Sequence, residues 1–280
     1  MRLGAPVFNF KTPAEWAREH VRKGYGAAYW PLPPCAPAAE RDAFAGAAAD
    51  HDIVIAEVGV WNNPLASDPA HREAAIRDCV AKLRVADAVG ARCCVNIAGS
   101  RSPTSWMGAH PDNLTPETFD MIVRTTRRIL DEAAPARSFY TLECMQWVFP
   151  CDVASMRRLL DAVAHPRFAV HLDMCNLTNM PERVFFNAQN TRAWFDAFGP
   201  LIRSIHAKDV VLRPEPTVHI DEALPGRGHF DFATLLQCAS ARGDIPVMCE
   251  HLATEAEYDE AAAHLRKVAA SLGLKFTAAV

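Results

Sequence analysis

The fold of this chain is indicated most clearly by residues 168–176, which read Phe-Ala-Val-His-Leu-Asp-Met-Cys-Asn. The run is mostly apolar, has the length of a buried strand, and carries a carboxylate, Asp173, near its end. Similar runs occur on both sides of it and alternate with longer segments of helical period. This alternation is typical of βαβ units that build a parallel sheet.

Eight such runs are predicted to be strands. They cover residues 3–8, 26–30, 53–60, 92–97, 139–145, 168–173, 202–211 and 245–251. Two of the intervening helices have clear starting signals at Thr12-Pro13-Ala14-Glu15 and Thr115-Pro116-Glu117. In each, a threonine can cap the helix and a proline supplies the backbone angle of the first turn. A last helix is predicted from about residue 255 to residue 271.

These elements predict a single α/β domain over residues 1–280, folded as a (β/α)8 TIM barrel. An open doubly wound sheet is disfavoured, because it would normally have a glycine-rich turn after its first strand, and none is present. The main irregularity is the segment 213–228, which contains three prolines and two glycines. It follows the seventh strand, so we predict a rim loop or lid over the active face of the barrel.

Composition narrows the class of protein further. Half of the 280 residues are hydrophobic, and the nine cysteines form neither CxxC pairs nor a regular framework. This favours free, mostly buried thiols in a reducing cytoplasm. The start of the chain does not resemble a secretory signal, and no apolar run approaches the roughly 20 residues of a membrane span. With a net charge of -4 and no basic stripe, neither nucleic acid nor a membrane is an expected partner. A homo-oligomer is left open.

Polar residues fall at the ends of four consecutive predicted strands. These residues are Glu143, Asp173, His206 and Glu250. Any one of them alone has an ordinary explanation, such as capping a helix or facing solvent, but four in succession make coincidence a poor explanation. Since strand ends converge at the mouth of a barrel, we predict that they share one divalent metal ion. Three carboxylates and one imidazole form a mostly hard-oxygen site, which suits Mn²⁺, Mg²⁺ or Co²⁺ better than a thiolate-rich zinc centre would.

Other polar residues near the strand ends have two readings each. Lys208 shares the parity of His206 and is a candidate catalytic group for a substrate oxyanion, although a lysine there often pairs with a carboxylate. His171 is a candidate substrate-binding residue or a satisfied core histidine. Glu57 and Asn96, on the third and fourth strands, would either line the substrate pocket or form an interior polar pair.

Two further features concern the rim of the barrel. Arg227 lies in Pro-Gly-Arg-Gly (225–228), where glycines allow backbone amides to approach an anion and the arginine can bind a phosphate or hydroxyl; a solvated turn is the alternative. Trp106 is a candidate substrate-binding ring, because aromatic rings stack on the apolar faces of sugars. Ordinary packing between barrel and helices is the alternative role for Trp106. The same two roles are open to three other tryptophans near strand ends, namely Trp30, Trp61 and Trp147.

The sequence resembles the sugar phosphate isomerase/epimerase family of xylose isomerase-like TIM barrels along nearly its whole length. The motifs that carry the resemblance are Ile55-Ala56-Glu57-Val58-Gly59, residues 95–100, Leu142-Glu143, His171-Leu172-Asp173, His206-Ala207-Lys208-Asp209, residues 225–228 and Glu250-His251-Leu252. The resemblance implies that the four strand-end residues named above bind Mn²⁺ or a similar ion.

In ketose epimerases of this family the two glutamates also act as an acid/base pair, a role that would pass to Glu143 and Glu250. Those enzymes have a substrate-binding histidine where this chain has Asn176, and a further glutamate where it has Phe149. Asn176 is therefore a candidate substrate-binding residue, and the substrate pocket is expected to differ from that of the ketose epimerases.

Together these features predict a divalent-metal-dependent isomerase or epimerase of a keto sugar or sugar derivative, acting by proton abstraction next to a carbonyl through an enediolate. A lyase that cleaves 3-keto glycosides by β-elimination is the alternative, since it needs no additional residue. A relative of the apurinic endonucleases would gather more histidines and a basic surface. A non-catalytic barrel that only binds carbohydrate is distinguished by the absence of stoichiometric metal.

Overall fold

The computed structural model describes residues 1–280, and eight parallel strands close into the predicted barrel. The strands are β1 (Arg2–Gly4), β2 (Ala27–Tyr29), β3 (Val54–Gly59), β4 (Cys93–Asn96), β5 (Phe139–Glu143), β6 (Phe168–Asp173), β7 (Ile202–Ala207) and, after a hairpin of β8 (Asp209–Leu212) and β9 (Ile220–Ala223), β10 (Pro246–Cys249). The order around the barrel is β1-β10-β7-β6-β5-β4-β3-β2. The predicted (β/α)8 fold is confirmed.

Helices cover the outside of the barrel. They are α1 (Pro13–Lys23), α2 (Ala38–Asp50), α3 (Pro69–Val89), α4 (Pro116–Ala133), α5 (Val153–Val163), α6 (Met174–Leu177), α7 (Pro181–Phe185), α8 (Asn187–Phe198), α9 (Phe232–Ser240) and α10 (Glu255–Ser271). Helix α1 begins as its sequence predicts, because Thr12 accepts from the Glu15 amide and the Glu15 carboxylate accepts from the Thr12 amide. The last helix has the predicted bounds.

Apolar packing is divided between two clusters. The main core contains 61 buried residues. A small cluster of Ala27, Ala56 and Met248 lies apart from it, on strands that are neighbours or near neighbours in the barrel. Alongside these residues Gly4 has no room for a side chain, since a Cβ there would lie 2.5 Å from the Met248 sulfur. No helix has the length and apolarity needed to cross a membrane, and all nine cysteines are free.

The segment after β7 differs from its prediction. The predicted strand 202–211 is interrupted at Lys208, and β8 turns away to pair antiparallel with β9. The segment 213–228 is therefore not entirely a loop, because β9 lies within it. The apolar run continues through Val210 to Leu212, so hydrophobicity alone does not show the break.

Asp209 fixes this change of direction. Its buried carboxylate accepts hydrogen bonds from the backbone amides of Gly226 and Gly228 at 2.9 Å each, and from that of Phe230 at 2.9 Å. The Pro-Gly-Arg-Gly turn thus surrounds an anion, as its glycines suggest, but the anion belongs to the chain itself. Arg227 points elsewhere and pairs with Glu260 of α10 at 2.7 Å.

Candidate metal centre

The carboxyl ends of four strands bring the predicted metal ligands together. Glu143 ends β5, Asp173 ends β6, His206 lies in β7, and Glu250 follows β10 directly. His206 Nδ1 lies 3.2 Å from Glu143 Oε2, 3.7 Å from Asp173 Oδ2 and 3.0 Å from Glu250 Oε2. The ligand atoms of Glu143, Asp173 and His206 all lie within 4.8 Å of one another. The imidazole nitrogen is therefore surrounded by three carboxylates.

The atoms that face one another in this cluster lack hydrogen-bond partners. Glu143 Oε2, His206 Nδ1 and Glu250 Oε2 are buried without one, and so is Asp173 Oδ2, whose contact with Lys208 Nζ at 2.7 Å is an ion pair. Buried polar atoms without partners are costly, and in native proteins they mark places where an ion or water belongs. Carboxylate oxygens with one imidazole are a donor set that Mn²⁺ and Mg²⁺ accept. The residues therefore fit a divalent ion.

The outer oxygens of Glu143 and Asp173 are held in place by Asn176. Its side-chain amide donates to Glu143 Oε1 at 2.6 Å, and its backbone amide donates to Asp173 Oδ1 at 3.2 Å. Asn176 lies in α6, the short helix that begins immediately after β6. One residue thus occupies the outer oxygens of two carboxylates and leaves Glu143 Oε2 and Asp173 Oδ2 directed at His206.

Glu57 lies beside the site and contacts both of its histidines. Its oxygens are 2.9 Å from His171 Nε2 and 3.0 Å from His206 Nε2. Burial opposes ionisation of Glu57, but His206 and His171 outweigh it and hold its pKa well below the usual range. An ionised carboxylate only accepts, so each imidazole donates from Nε2. Burial opposes the charged form of His206, but Glu250 and Glu57 raise its pKa well above the usual value. The Nδ1 lone pair faces the carboxylate cluster only in the neutral ring, which is the form that a bound ion would need.

His171 and Glu57 are both buried in the barrel interior, and Glu57 pairs with two histidines and not with Asn96. Their substrate-binding roles stay predictions. Neither lines a cavity at the barrel mouth, and His171 Nδ1 lies 3.6 Å from Glu143 Oε2 without a hydrogen-bond partner. Glu57, His171 and His206 also form a group with metal-ligand spacing. Their own hydrogen bonds join them, so the cluster around His206 Nδ1 is the better place for an ion.

Lys208 supplies positive charge to the cluster. Its ammonium lies 2.7 Å from Asp173 Oδ2 and 3.3 Å from Glu250 Oε2. Burial opposes its charged form, but Asp173, Glu143 and Glu250 raise its pKa well above the usual value. In turn the pKa of Glu250 is lowered to about 2, since His206 and Lys208 outweigh the effect of its burial. The structure thus places Lys208 in ion pairs with carboxylates, which was one of its two readings.

A cavity of about 490 Å³ opens directly above these residues, and we call it the central cavity. Its walls include Glu143, Glu250 and two predicted substrate-binding residues, Asn176 and Trp106. Several further wall residues are Trp61, Ile97, Met107, Met145, Gln146, Trp147, Glu222 and His251. Glu222 and His251 are wall residues that the sequence did not indicate. Glu222 lies on the unpredicted strand β9, and His251 falls in a predicted strand that in the structure ends earlier, at Cys249.

Two predicted substrate-binding residues point away from this cavity. Asn96 is fully buried and bonds to Asn62 and to Cys79 of α3, so its side chain faces the helix layer. Arg227 is bound to Glu260, as described above. The prediction that these two side chains reach the pocket is wrong for this arrangement, because the parity of Asn96 and the turn around Arg227 direct them outward.

A parallel eight-stranded barrel with a cluster of residues at metal-ligand spacing at its carboxyl end defines a class of proteins, and the sequence matches one family within it. Residues 15–268 match the family model described as xylose isomerase-like TIM barrel. The chain belongs to this family. No curated protein matches it in sequence.

Solved structures share the fold at low sequence identity. D-psicose 3-epimerase with D-tagatose from Clostridium cellulolyticum H10 has a TM-score of 0.70 at 14% identity, with 98% of this chain and 100% of that chain covered. 3-Keto-D-glucoside 4-epimerase from E. coli has a TM-score of 0.68 at 15% identity, with 95% of this chain and 99% of that chain covered. A xylose isomerase-like TIM barrel protein from Mycobacterium smegmatis in complex with magnesium has a TM-score of 0.65 at 15% identity, with 94% of this chain and 89% of that chain covered.

Proposed function

We propose that this protein is a divalent-metal-dependent isomerase or epimerase of a keto sugar or sugar derivative. The observation that carries the proposal is the group of buried, unpartnered atoms around His206 Nδ1, with two glutamates that also line the central cavity. The family and the sugar epimerases among its structural neighbours support the same class of substrate.

Glu143, Asp173, His206 and Glu250 would hold the ion, with Mn²⁺ as the expected metal. When bound, such an ion polarises a substrate carbonyl and stabilises the negative charge that develops beside it. Asp173 and His206 lie deepest and serve as anchors, since neither lines the central cavity. Asn176 holds Glu143, and Glu57 holds His206, so the ligand set is organised before an ion arrives.

Glu143 and Glu250 are proposed to move the proton. Strands β6 and β7 lie between β5 and β10 in the barrel, so the two glutamates enter the central cavity from different sides. One carboxylate removes the proton next to the carbonyl, and the other returns a proton to the opposite face. The low pKa of Glu250 keeps it as a carboxylate near neutral pH, ready to accept.

The other proposed roles follow from position. Asn176 and Trp106 line the central cavity and are proposed to contact the substrate. Lys208 is proposed to balance the charge of Asp173 and Glu250, and it reaches a substrate oxyanion only if these contacts loosen.

The test uses Glu143→Gln and Glu250→Gln in the Mn²⁺-loaded protein, with candidate keto sugars in D₂O. Both variants are expected to remain folded and to lose nearly all deuterium exchange next to the carbonyl. Full exchange in either variant contradicts the acid/base assignment. Product mass separates the reactions, because epimerisation changes it only by deuterium, whereas β-elimination from a 3-keto glycoside releases an aglycone or water.

A further inference from the structure

Two further cavities lie beside the central cavity and share wall residues with it. A second cavity of about 650 Å³, which we call the outer cavity, lies over the loops that follow β3 and β4, and Trp61 and Trp106 line both spaces. A third of about 430 Å³ lies toward the β8–β9 hairpin and shares Trp147 and Asn176 with the central one. Small-molecule sites typically occupy roughly 300–1,000 Å³. The central cavity alone therefore has room for one sugar ring.

The indole of Trp61 is held in place between the metal centre and the outer cavity. Its ring centroid lies 6.2 Å from that of His206, and the residue is 38% exposed. Its backbone has a φ of 54°, an unusual value for a bulky residue. A Cβ on Gly59 would lie 2.3 Å from Trp61 Nε1, so the glycine makes room for the ring. Such a strained backbone at a site edge is typical of a functional constraint.

None of the three cavities is lined by lysine or arginine. Their ionisable walls are two histidines and several carboxylates, namely His71, His251, Asp68, Asp78, Glu143, Glu222 and Glu250. Lys208 is paired with Asp173 and lies outside the lining, and Arg227 is bound to Glu260. In the outer cavity a phosphate or carboxylate on the substrate would therefore meet Asp68 and Asp78 and no lysine or arginine.

We propose that the substrate is an uncharged glycoside with more than one ring, which the protein binds in preference to free or phosphorylated sugars. The keto ring occupies the central cavity, and the second ring stacks against Trp61 and Trp106 in the outer cavity. This inference rests on the proposed function, because that function places the reacting ring above Glu143 and Glu250.

The test compares three ligands that carry the same keto ring: methyl 3-keto-glucoside, its 6-phosphate, and trehalose oxidised at C3. Binding to the Mn²⁺-loaded protein is followed by stopped-flow quenching of tryptophan fluorescence, read before turnover. The two-ring ligand is expected to bind roughly tenfold more tightly than the methyl glucoside, in line with one additional aromatic contact. The phosphate is expected to bind most weakly of the three.

Trp106→Ala should lower the affinity for the two-ring ligand more than the affinity for the methyl glucoside, so the ratio of the two affinities should fall toward one. Phe185→Ala is the matched control, since it removes an exposed aromatic ring on α7 that lines none of the three cavities. Equal affinities for one and two rings, or tightest binding of the phosphate, overturn the inference. Because binding is measured without chemistry, a two-ring preference without deuterium exchange refutes only the proposed isomerase reaction.

Discussion

Replacing Glu57 by glutamine tests how the metal centre is organised. The carboxylate now accepts one hydrogen bond from each of two imidazoles, at 2.9 and 3.0 Å. A glutamine of the same shape accepts through its oxygen only, and its amide presents N–H groups to the second ring. That ring must then carry its proton on Nδ1. If the ring is His206, its metal-facing nitrogen is no longer a ligand.

Loss of such an orienting partner typically weakens metal binding about 10–100-fold, which is roughly 1.4–2.7 kcal/mol. We therefore expect Glu57→Gln to bind Mn²⁺ at least tenfold more weakly in isothermal titration. The histidine ¹⁵N spectrum should show Nδ1 protonation of one ring. Asn96→Ser is the control. This change also removes buried hydrogen bonds, on the neighbouring strand β4, but the Asn96 side chain faces α3 and does not contact the candidate ligands. An unchanged Mn²⁺ affinity in Glu57→Gln would refute this account of the site.

Three further predictions concern charge and stability. Lys208→Met leaves Asp173 and Glu250 without their ammonium partner, so metal-free protein should lose about 3–5 kcal/mol of stability, and Mn²⁺ should raise the Tm of this variant more than that of the wild type. An equal Mn²⁺ effect in both would contradict this. Asp209→Asn weakens the acceptor of the Gly226, Gly228 and Phe230 amides, so cleavage by a protease near the hairpin should accelerate while Mn²⁺ binding persists. His20 is buried, and burial lowers its pKa to about 4 despite a hydrogen bond to Trp16. The folded pKa of His20 lies below the unfolded value of about 6.5, so protonation favours the unfolded chain. The free energy of unfolding therefore has its full value above pH 6.5 and falls by roughly 3 kcal/mol as pH drops toward 4. Denaturant titrations of His20→Phe should show a flatter pH dependence over this window, and an unchanged slope would exclude His20 as its source.

The barrel was predictable because its signals are local. Apolar runs of strand length and the Thr12 cap depend on neighbouring residues only, and the structure has a barrel strand in each predicted run, although β1 and β7 end earlier than predicted. The approach of Glu143, Asp173 and His206 to one another was also predictable, because strand ends in a barrel must meet.

What the sequence did not reveal depends on contacts between distant segments. The change of direction after β7 is held by Asp209, whose carboxylate accepts hydrogen bonds from backbone amides 17, 19 and 21 positions later. Asn96 is a polar residue of the type expected in a substrate pocket, but its position in β4 directs its side chain toward α3. The location of Trp61 above His206 depends on the space that Gly59 leaves by having no Cβ and on the positive φ of Trp61, which no local sequence pattern indicates.

The bonding around Asp209 has a consequence for how this barrel can diversify. The carboxylate closes the base of the β8–β9 hairpin, while residues 214–219 at its tip are exposed or nearly so. Insertions or deletions at that tip would alter the entrance near Glu222 without shifting the strand ends below. Under the proposed function, the hairpin tip beside the substrate can therefore vary in length during evolution, while the Asp209 carboxylate holds the base of the hairpin next to the proposed ion ligands.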